Sequence, residues 1–283
     1  MKKTLIVVVI LCSLILAGCR TKFDNSALDT LTSLSQITPA EIGVEQIAVA
    51  DSIAINGKSG VVKITADFPE SGNFFVVNNI REWISEQMGG SYTGNIDNGQ
   101  KMLEHYRSMT MADFKENIIP DLPDLEDMYA IKDLKFSKLY ETDKIVTYIC
   151  TQEGYTGGAH GWFLSEGQTF RKSDGRRLDL DLFREESKRE LAELVKDNIM
   201  IQYFEADKNQ SGNLLFEEAE DFFPLPLSAP YFTDKGVTFT YQQYEVAPYA
   251  FGLPTCVISY DIIEPFLTQT GRQLLDLSRV AEN

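Results

Sequence analysis

MYAIKDLKFSKLYETDKIVTYICTQEGYTGGAHGWFLSEGQTFR, residues 128–171, holds three runs rich in β-branched and aromatic residues with turn residues between them. Met128 to Tyr140, Lys144 to Thr151 and Trp162 to Arg171 read as strands of one antiparallel meander, with Asp143 and then Asp174-Gly175 at turns. Strands that follow one another without an intervening helix favour an α+β fold over a doubly wound parallel sheet. The predicted fold class is therefore α+β, with antiparallel sheets, packed helices and two small subdomains.

Outward on the N-terminal side, Val44 to Ala50 and Val61 to Asp67 are short β-branched runs separated by Asn56-Gly57 and Ser59-Gly60, a hairpin signal. Asn73 is placed to cap a helix in which Phe75, Ile80, Trp83, Ile84 and Met88 recur at helical spacing before Gly89-Gly90. A second helix is predicted from about Gly99 to Ile119, stopped by Pro120 and Pro123. On the C-terminal side, Asp179 or Asp181 opens a helix with Phe183, Leu191, Leu194, Val195 and Ile199 on one face. Strands near Tyr231, Val237 to Tyr241 and Thr255 to Tyr260 follow, then a short helix from Ile262 to Leu267.

The chain opens with Lys2 and Lys3 and is apolar from Leu5 to Ala17, the charged and apolar regions of a secretion signal too short to span a bilayer as a helix. Leu16-Ala17-Gly18-Cys19 resembles the cleavage site of bacterial lipoproteins, in which the Cys thiol is acylated and becomes the new N-terminus. That implies lipidation at Cys19 and a membrane partner through the lipid anchor. Arg20 stands where an Asp would suggest inner-membrane retention, which favours the outer membrane of the bacterial cell envelope, on its periplasmic or surface face. The formal charge of −16 drops by two more units when Lys2 and Lys3 leave with the leader. Such acidity argues against nucleic acid and anionic lipid as partners, since both need a basic footprint, and permits a basic partner. Taken alone it reads as a solubility device. Cys150 and Cys256 sit in apolar strand-like runs, where a disulfide and two buried thiols are both ordinary outcomes.

Two further segments carry a resemblance. Tyr155-Thr156-Gly157-Gly158-Ala159-His160-Gly161 and Tyr244-Glu245-Val246-Ala247-Pro248-Tyr249-Ala250-Phe251-Gly252 are similar to motifs of the paired domain-of-unknown-function families 4163 (N-terminal) and 3298 (C-terminal), as found in RsiV-like envelope proteins. Asp174-Gly175-Arg176 and Leu180-Asp181-Leu182-Phe183 fit the same pattern. The resemblance runs from about Glu41 to Leu267 and is strongest after Tyr129. It divides the chain into a leader (1–18), a polar tether (19–40), an N-terminal α+β domain (41–165), a C-terminal α+β domain (166–270) and a tail (271–283). It implies a module that binds lysozyme or another cell-wall partner. The family it resembles includes the extracytoplasmic half of a lysozyme-sensing anti-sigma factor and the accessory region of a peptidoglycan deacetylase; the sequence departs from the first in having no cytoplasmic sigma-binding segment, and from the second in having no deacetylase domain.

Tyr155, Gly157, Gly158, His160, Tyr244, Glu245, Pro248 and Tyr249 are thus the candidate binding residues. Paired glycines allow backbone angles and close approaches that other residues forbid, and would hold His160 in a defined place. A lone loop His is more often structural than catalytic, and the aromatic loop suits an interior corner nearly as well as a recognition surface. Catalytic residues are not assigned: His105 and His160 lie in different predicted elements, and no Gly-x-Ser-x-Gly elbow is present. Asp207, Asn209, Ser211, Asn213 and Glu218 satisfy a calcium-loop template, so calcium is the one cofactor considered, against a polar surface loop capped by Asp207. Three functions follow: a non-catalytic binding module, an envelope glycan hydrolase using an Asp/Glu pair, or a structural assembly lipoprotein.

Overall fold

The computed structural model describes residues 41–125, 128–207 and 214–277. The leader, Cys19 and the tether lie outside them, as do Asn209, Ser211 and Asn213. β1 (Gly43–Ile55) and β2 (Lys58–Ser71) form the predicted hairpin, Ile55 opposite Lys58. Asn56 and Gly57 both have positive φ, 51° and 81°, which is the two-residue turn whose twist matches the flanking strands. α1 (Phe74–Gln87) is capped by the Asn73 side chain accepting from Phe75 N. α2 (Gly99–Asp113) is capped by Asn98 and runs on through a π turn, Phe114–Ile118, to a last turn at Ile119–Asp121.

The meander is β3 (Tyr129–Glu141), β4 (Ile145–Tyr155), β5 (Trp162–Arg171) and the short β6 (Arg177–Leu178), each antiparallel to the next. The six strands lie in sequence order in one sheet, and β2 pairs with β3 in parallel because the two helices between them return the chain to the same end. α1 and α2 pack Val76, Ile80, Trp83, Met102 and Tyr106 onto the sheet residues Ile64, Phe68, Phe136 and Tyr148. Trp83 stands edge-on to Phe136 and Phe170 at 6.1 and 6.2 Å between ring centroids. Phe75, counted into the apolar face of α1 on spacing, is 59% exposed, and the true stripe is Val76, Val77, Ile80, Trp83 and Ile84.

A second core lies under the chain after β6. α3 (Lys188–Gln202) packs Leu191, Val195 and Ile199 against β8 (Val237–Thr240) and β9 (Thr255–Ile258), which with β7 (Tyr231–Phe232) make a three-stranded antiparallel sheet. The helix predicted to open at Asp179 or Asp181 begins at Lys188 instead. Asp179 caps only a short 3-10 turn, Leu180–Leu182, and Phe183 is extended and bridges to Leu267. α4 (Glu217–Asp221) and α5 (Tyr260–Ile263) complete this part, and α6 (Gln269–Leu274) continues into the segment expected as a tail.

Both cores lie within the described residues, and β5 runs unbroken from Trp162 to Arg171, across position 165. At the junction, Thr147 Oγ1 donates to the Phe232 carbonyl at 2.7 Å and Phe232 N donates to Thr169 Oγ1 at 3.0 Å. Cys150 belongs to the first core and Cys256 to the second, so the two are unpaired thiols. No helix among the described residues is long and apolar enough to cross a membrane.

Candidate functional site

The β4–β5 loop turns on Gly157 and Gly158, with φ of +96° and +90°, backbone that side chains rarely adopt. It is closed by the Tyr155 hydroxyl donating to Gly158 O at 3.1 Å. Gly161 meets Gly154 so closely that a Cβ there would sit 2.7 Å from the Gly154 carbonyl oxygen. Opposite Gly154, the Trp162 ring lies where any larger residue at 154 would stand. His160 is exposed at the tip, with Nδ1 2.8 Å from Gly161 O.

The second segment, 244–252, reaches this loop from the other core. The Tyr249 hydroxyl donates to Gly161 O at 2.7 Å, and its ring stacks on His160 with centroids 3.8 Å apart and planes 23° apart. Tyr244, at φ +67°, lies 5.8 Å from Tyr249, so three rings follow one another. Several contacts hold the loop in place. The Glu245 carboxylate accepts from Leu227 N at 2.7 Å and Gln242 N at 2.8 Å, and Tyr203 OH donates to Phe251 O at 2.6 Å. Pro248, at φ −54°, starts the 3-10 turn Tyr249–Phe251.

The outer edge of β5 is finished by side chains in place of a strand. Phe163 N donates to Gln243 Oε1 at 3.1 Å and Gln242 Nε2 donates to Ser165 O at 2.8 Å. Edge amides satisfied in this way fix the distance between the two loops. Beside them is an open cleft of about 330 Å³ lined by Ile131, Glu153, Tyr155, Trp162, Phe163 and Tyr249. Tyr129 extends the aromatic surface, 5.5 Å from Tyr155 and 52% exposed; Tyr244 is 59% exposed.

Residues 180–261 match the family described as "Protein of unknown function (DUF3298)". The 244–252 loop lies inside this DUF3298 segment, and the β4–β5 loop precedes it. The match covers the C-terminal member of the pair expected on sequence and does not extend to the N-terminal one. The fold is similar to the crystal structure of a DUF3298 family member from Bacteroides fragilis NCTC 9343, with a TM-score of 0.63, 18% identity, and coverage of 84% of this chain and 99% of that one. It is also similar to a DUF3298 family protein from Pseudomonas aeruginosa PAO1, with a TM-score of 0.55, 15% identity, and coverage of 83% and 98%. At these identities the likeness is one of fold. No curated protein matches the sequence.

Of the residues singled out on sequence, Tyr155, Gly157, Gly158, His160, Tyr244 and Tyr249 come together in one ridge. Glu245 and Pro248 shape the loop from behind. Asp207 and Glu218 are described, Glu218 exposed in α4, while the middle of the calcium-loop template lies outside the described residues. Among the described residues no three His, Cys, Asp or Glu side chains converge on a point that could hold a metal. Sequence reasoning missed Tyr129, Trp162, Phe163, Gln242 and Gln243. The Gln242-Gln243 pair directly before Tyr244 was the one available signal, since amide side chains next to a recognition loop can supply backbone-like hydrogen bonds.

Proposed function

We propose that this chain is a lipid-anchored, non-catalytic binding module of the bacterial envelope, RsiV-like in type. Its working surface is the ridge Tyr155, His160, Tyr249 and Tyr244 with the adjoining cleft. The partner is lysozyme or another cell-wall partner, and a basic protein fits best. The observation that carries this is the stacked row of half-exposed rings, buttressed from behind by Glu245, Gln242 and Tyr203. Pre-ordered aromatic side chains bury large area on binding at little entropic cost, and such residues dominate interface energetics. Ring faces also attract Lys and Arg side chains, and the acidic body would speed encounter with a basic partner. A glycan hydrolase needs two carboxylates flanking the scissile bond, and among the described residues Glu153 is the one carboxylate lining this cleft.

The test is a calorimetric titration of residues Thr21 to Asn283 with a basic C-type lysozyme at physiological salt, alongside a lysozyme activity assay. Saturable binding that blocks activity is expected, with Tyr244→Ala and Tyr249→Ala each weakening it by roughly tenfold or more. Added salt should slow association more than it speeds release. Absence of heat and of inhibition removes lysozyme as the partner and turns the search to glycan fragments. Binding unchanged by the ridge variants moves the surface elsewhere on the molecule.

A further inference from the structure

The cleft beside the ridge holds a carboxylate that the fold does not use. Glu153 stands on β4 between Asp133 of β3 and Phe163 of β5, and it is exposed. Asp133 is ion-paired with Lys63 at 3.5 Å, whereas Glu153 has neither an ion pair nor a hydrogen bond among the described residues. No Lys, Arg or His among the described residues lines the cleft; its remaining walls are Ile131, Tyr155, Trp162, Phe163 and Tyr249, with Gly154 and Gly161 between them. The cleft is therefore a set of rings around one negative charge that nothing in the fold balances.

The walls are fixed before anything binds. Gly154 has no Cβ, which lets the Trp162 ring lie across it; a Cβ there would be 2.5 Å from Trp162 Cζ2. Tyr155 is held through its hydroxyl to Gly158 O at 3.1 Å, and Tyr249 through its hydroxyl to Gly161 O at 2.7 Å. Walls ordered in this way lose little entropy when a ligand enters. Ring faces attract cations, and a guanidinium is planar and weakly hydrated, so it can stack on a ring while it pairs with a carboxylate. An anionic ligand would meet repulsion from Glu153, and a neutral one would leave its charge unmatched. At about 330 Å³ the cleft falls at the small end of ligand sites, which span about 300–1,000 Å³, and offers room for one long side chain.

We propose that this cleft receives a single basic side chain, arginine in preference to lysine, from the protein that the ridge binds, with Glu153 as its counter-ion and Tyr155, Trp162 and Tyr249 as its ring walls. The assignment rests on the ridge being a protein-binding surface. On that footing the two parts divide the work: the ridge supplies apolar contact, and the cleft selects for charge. Glu153 is the specificity-determining residue, because a partner that covers the cleft without delivering a cation leaves the carboxylate desolvated and unpaired.

The chain has two tryptophans, Trp83 buried in the first core and Trp162 in the cleft, so the indole N–H resonances of nitrogen-labelled Thr21 to Asn283 report the two places separately. The probes are Nα-acetyl-arginine amide, its neutral isostere Nα-acetyl-citrulline amide, and chitotriose. The arginine amide should move the Trp162 resonance saturably and leave that of Trp83 in place. The citrulline amide should bind roughly tenfold weaker, and Glu153→Gln should weaken the arginine amide by roughly fivefold, with an unshifted Trp83 resonance showing that the variant is folded. A Trp162 resonance that ignores the arginine amide overturns the proposal, as does equal affinity for the two amides or parent affinity in Glu153→Gln. Chitotriose moving Trp162 where the arginine amide does not would overturn it in favour of a sugar site. Titration with a basic C-type lysozyme separates the cleft from the ridge. Lysozyme held equally by the parent chain and by Glu153→Gln sinks the cleft assignment and spares the ridge. No lysozyme binding, with Trp162 still answering to the arginine amide in preference to the citrulline amide, removes lysozyme as the partner and upholds the cleft as a site for a basic side chain.

Discussion

At the scale of single residues, buried tyrosines separate a hydrogen bond that is made from one that is not. The Tyr148 hydroxyl is buried with no hydrogen-bond partner among the described residues, whereas the Tyr241 hydroxyl donates to Pro224 O at 2.7 Å. Removing an unsatisfied buried hydroxyl relieves a desolvation cost, and removing a satisfied one strands its acceptor. Tyr148→Phe should therefore hold or raise stability by up to about 1 kcal/mol, while Tyr241→Phe should lower it by about 1 kcal/mol, read as urea midpoints at constant slope. The same scale shows what the sequence could disclose of the site. Gly157-Gly158 announced a turn that fixes His160, and the turn is there. The ring that His160 stacks on could not be read off, because Tyr249 comes from a loop 88 residues from Gly161 and only the packing of two cores brings them together. Glu245 is among the candidate binding residues on sequence, but its carboxylate is taken by the Leu227 and Gln242 backbone amides.

Among elements, the decisive contact is between β5 and β7. Tyr231 lies across Gly167 so tightly that a Cβ would fall 2.2 Å from its ring, and the Thr147–Thr169–Phe232 hydrogen bonds sit beside it. Gly167→Ala must push β7 off the six-stranded sheet, a clash expected to cost about 1–3 kcal/mol. Because the ridge needs both loops in place, the variant should also weaken partner binding. Lost stability with intact affinity would show that the loops hold each other without the junction. Elements governed by local chemistry were legible: the Asn56-Gly57 hairpin, the Asn73 cap and the meander each follow from a few neighbouring residues. Those decided by distant partners were not. The sequence pattern puts Phe183 on one helical face with Leu191, yet it is buried in the second core and pairs with Leu267, which costs α3 its first turns. The parallel β2–β3 pair was likewise invisible, since register between strands separated by two helices is set by the sheet as a whole.

For the whole molecule, the buried acids decide how stability depends on pH on the alkaline side. Burial pushes the Cys150 and Cys256 thiols up to about 12 from an ordinary 9.0. Burial likewise raises the Tyr148, Tyr241 and Tyr260 hydroxyls well above their ordinary 10.0. In each case the folded protein keeps its proton after the unfolded chain has lost it. Folded protein therefore binds more protons, and stability falls as pH rises. The thiol contribution is present below pH 9.0 and drains away between there and about 12, while the tyrosine contribution begins to be lost above 10.0 and continues to fall beyond the thiol range. Lys132 acts in the opposite sense, since burial lowers its pKa from 10.5 and the cost of charging it is relieved at high pH. The five groups above outnumber it, and Tyr140 and Tyr231 are raised by burial as well. Urea midpoints measured from pH 8 upward should thus decline from about pH 9, and a Cys150→Ala/Cys256→Ala variant should delay the decline to about pH 10. At pH 8 neither thiol should react with Ellman's reagent in the folded body of Thr21 to Asn283, and both should react in urea. Fast reaction of either thiol in the native state would mean that its core opens locally, and the corresponding part of the alkaline decline would then be lost.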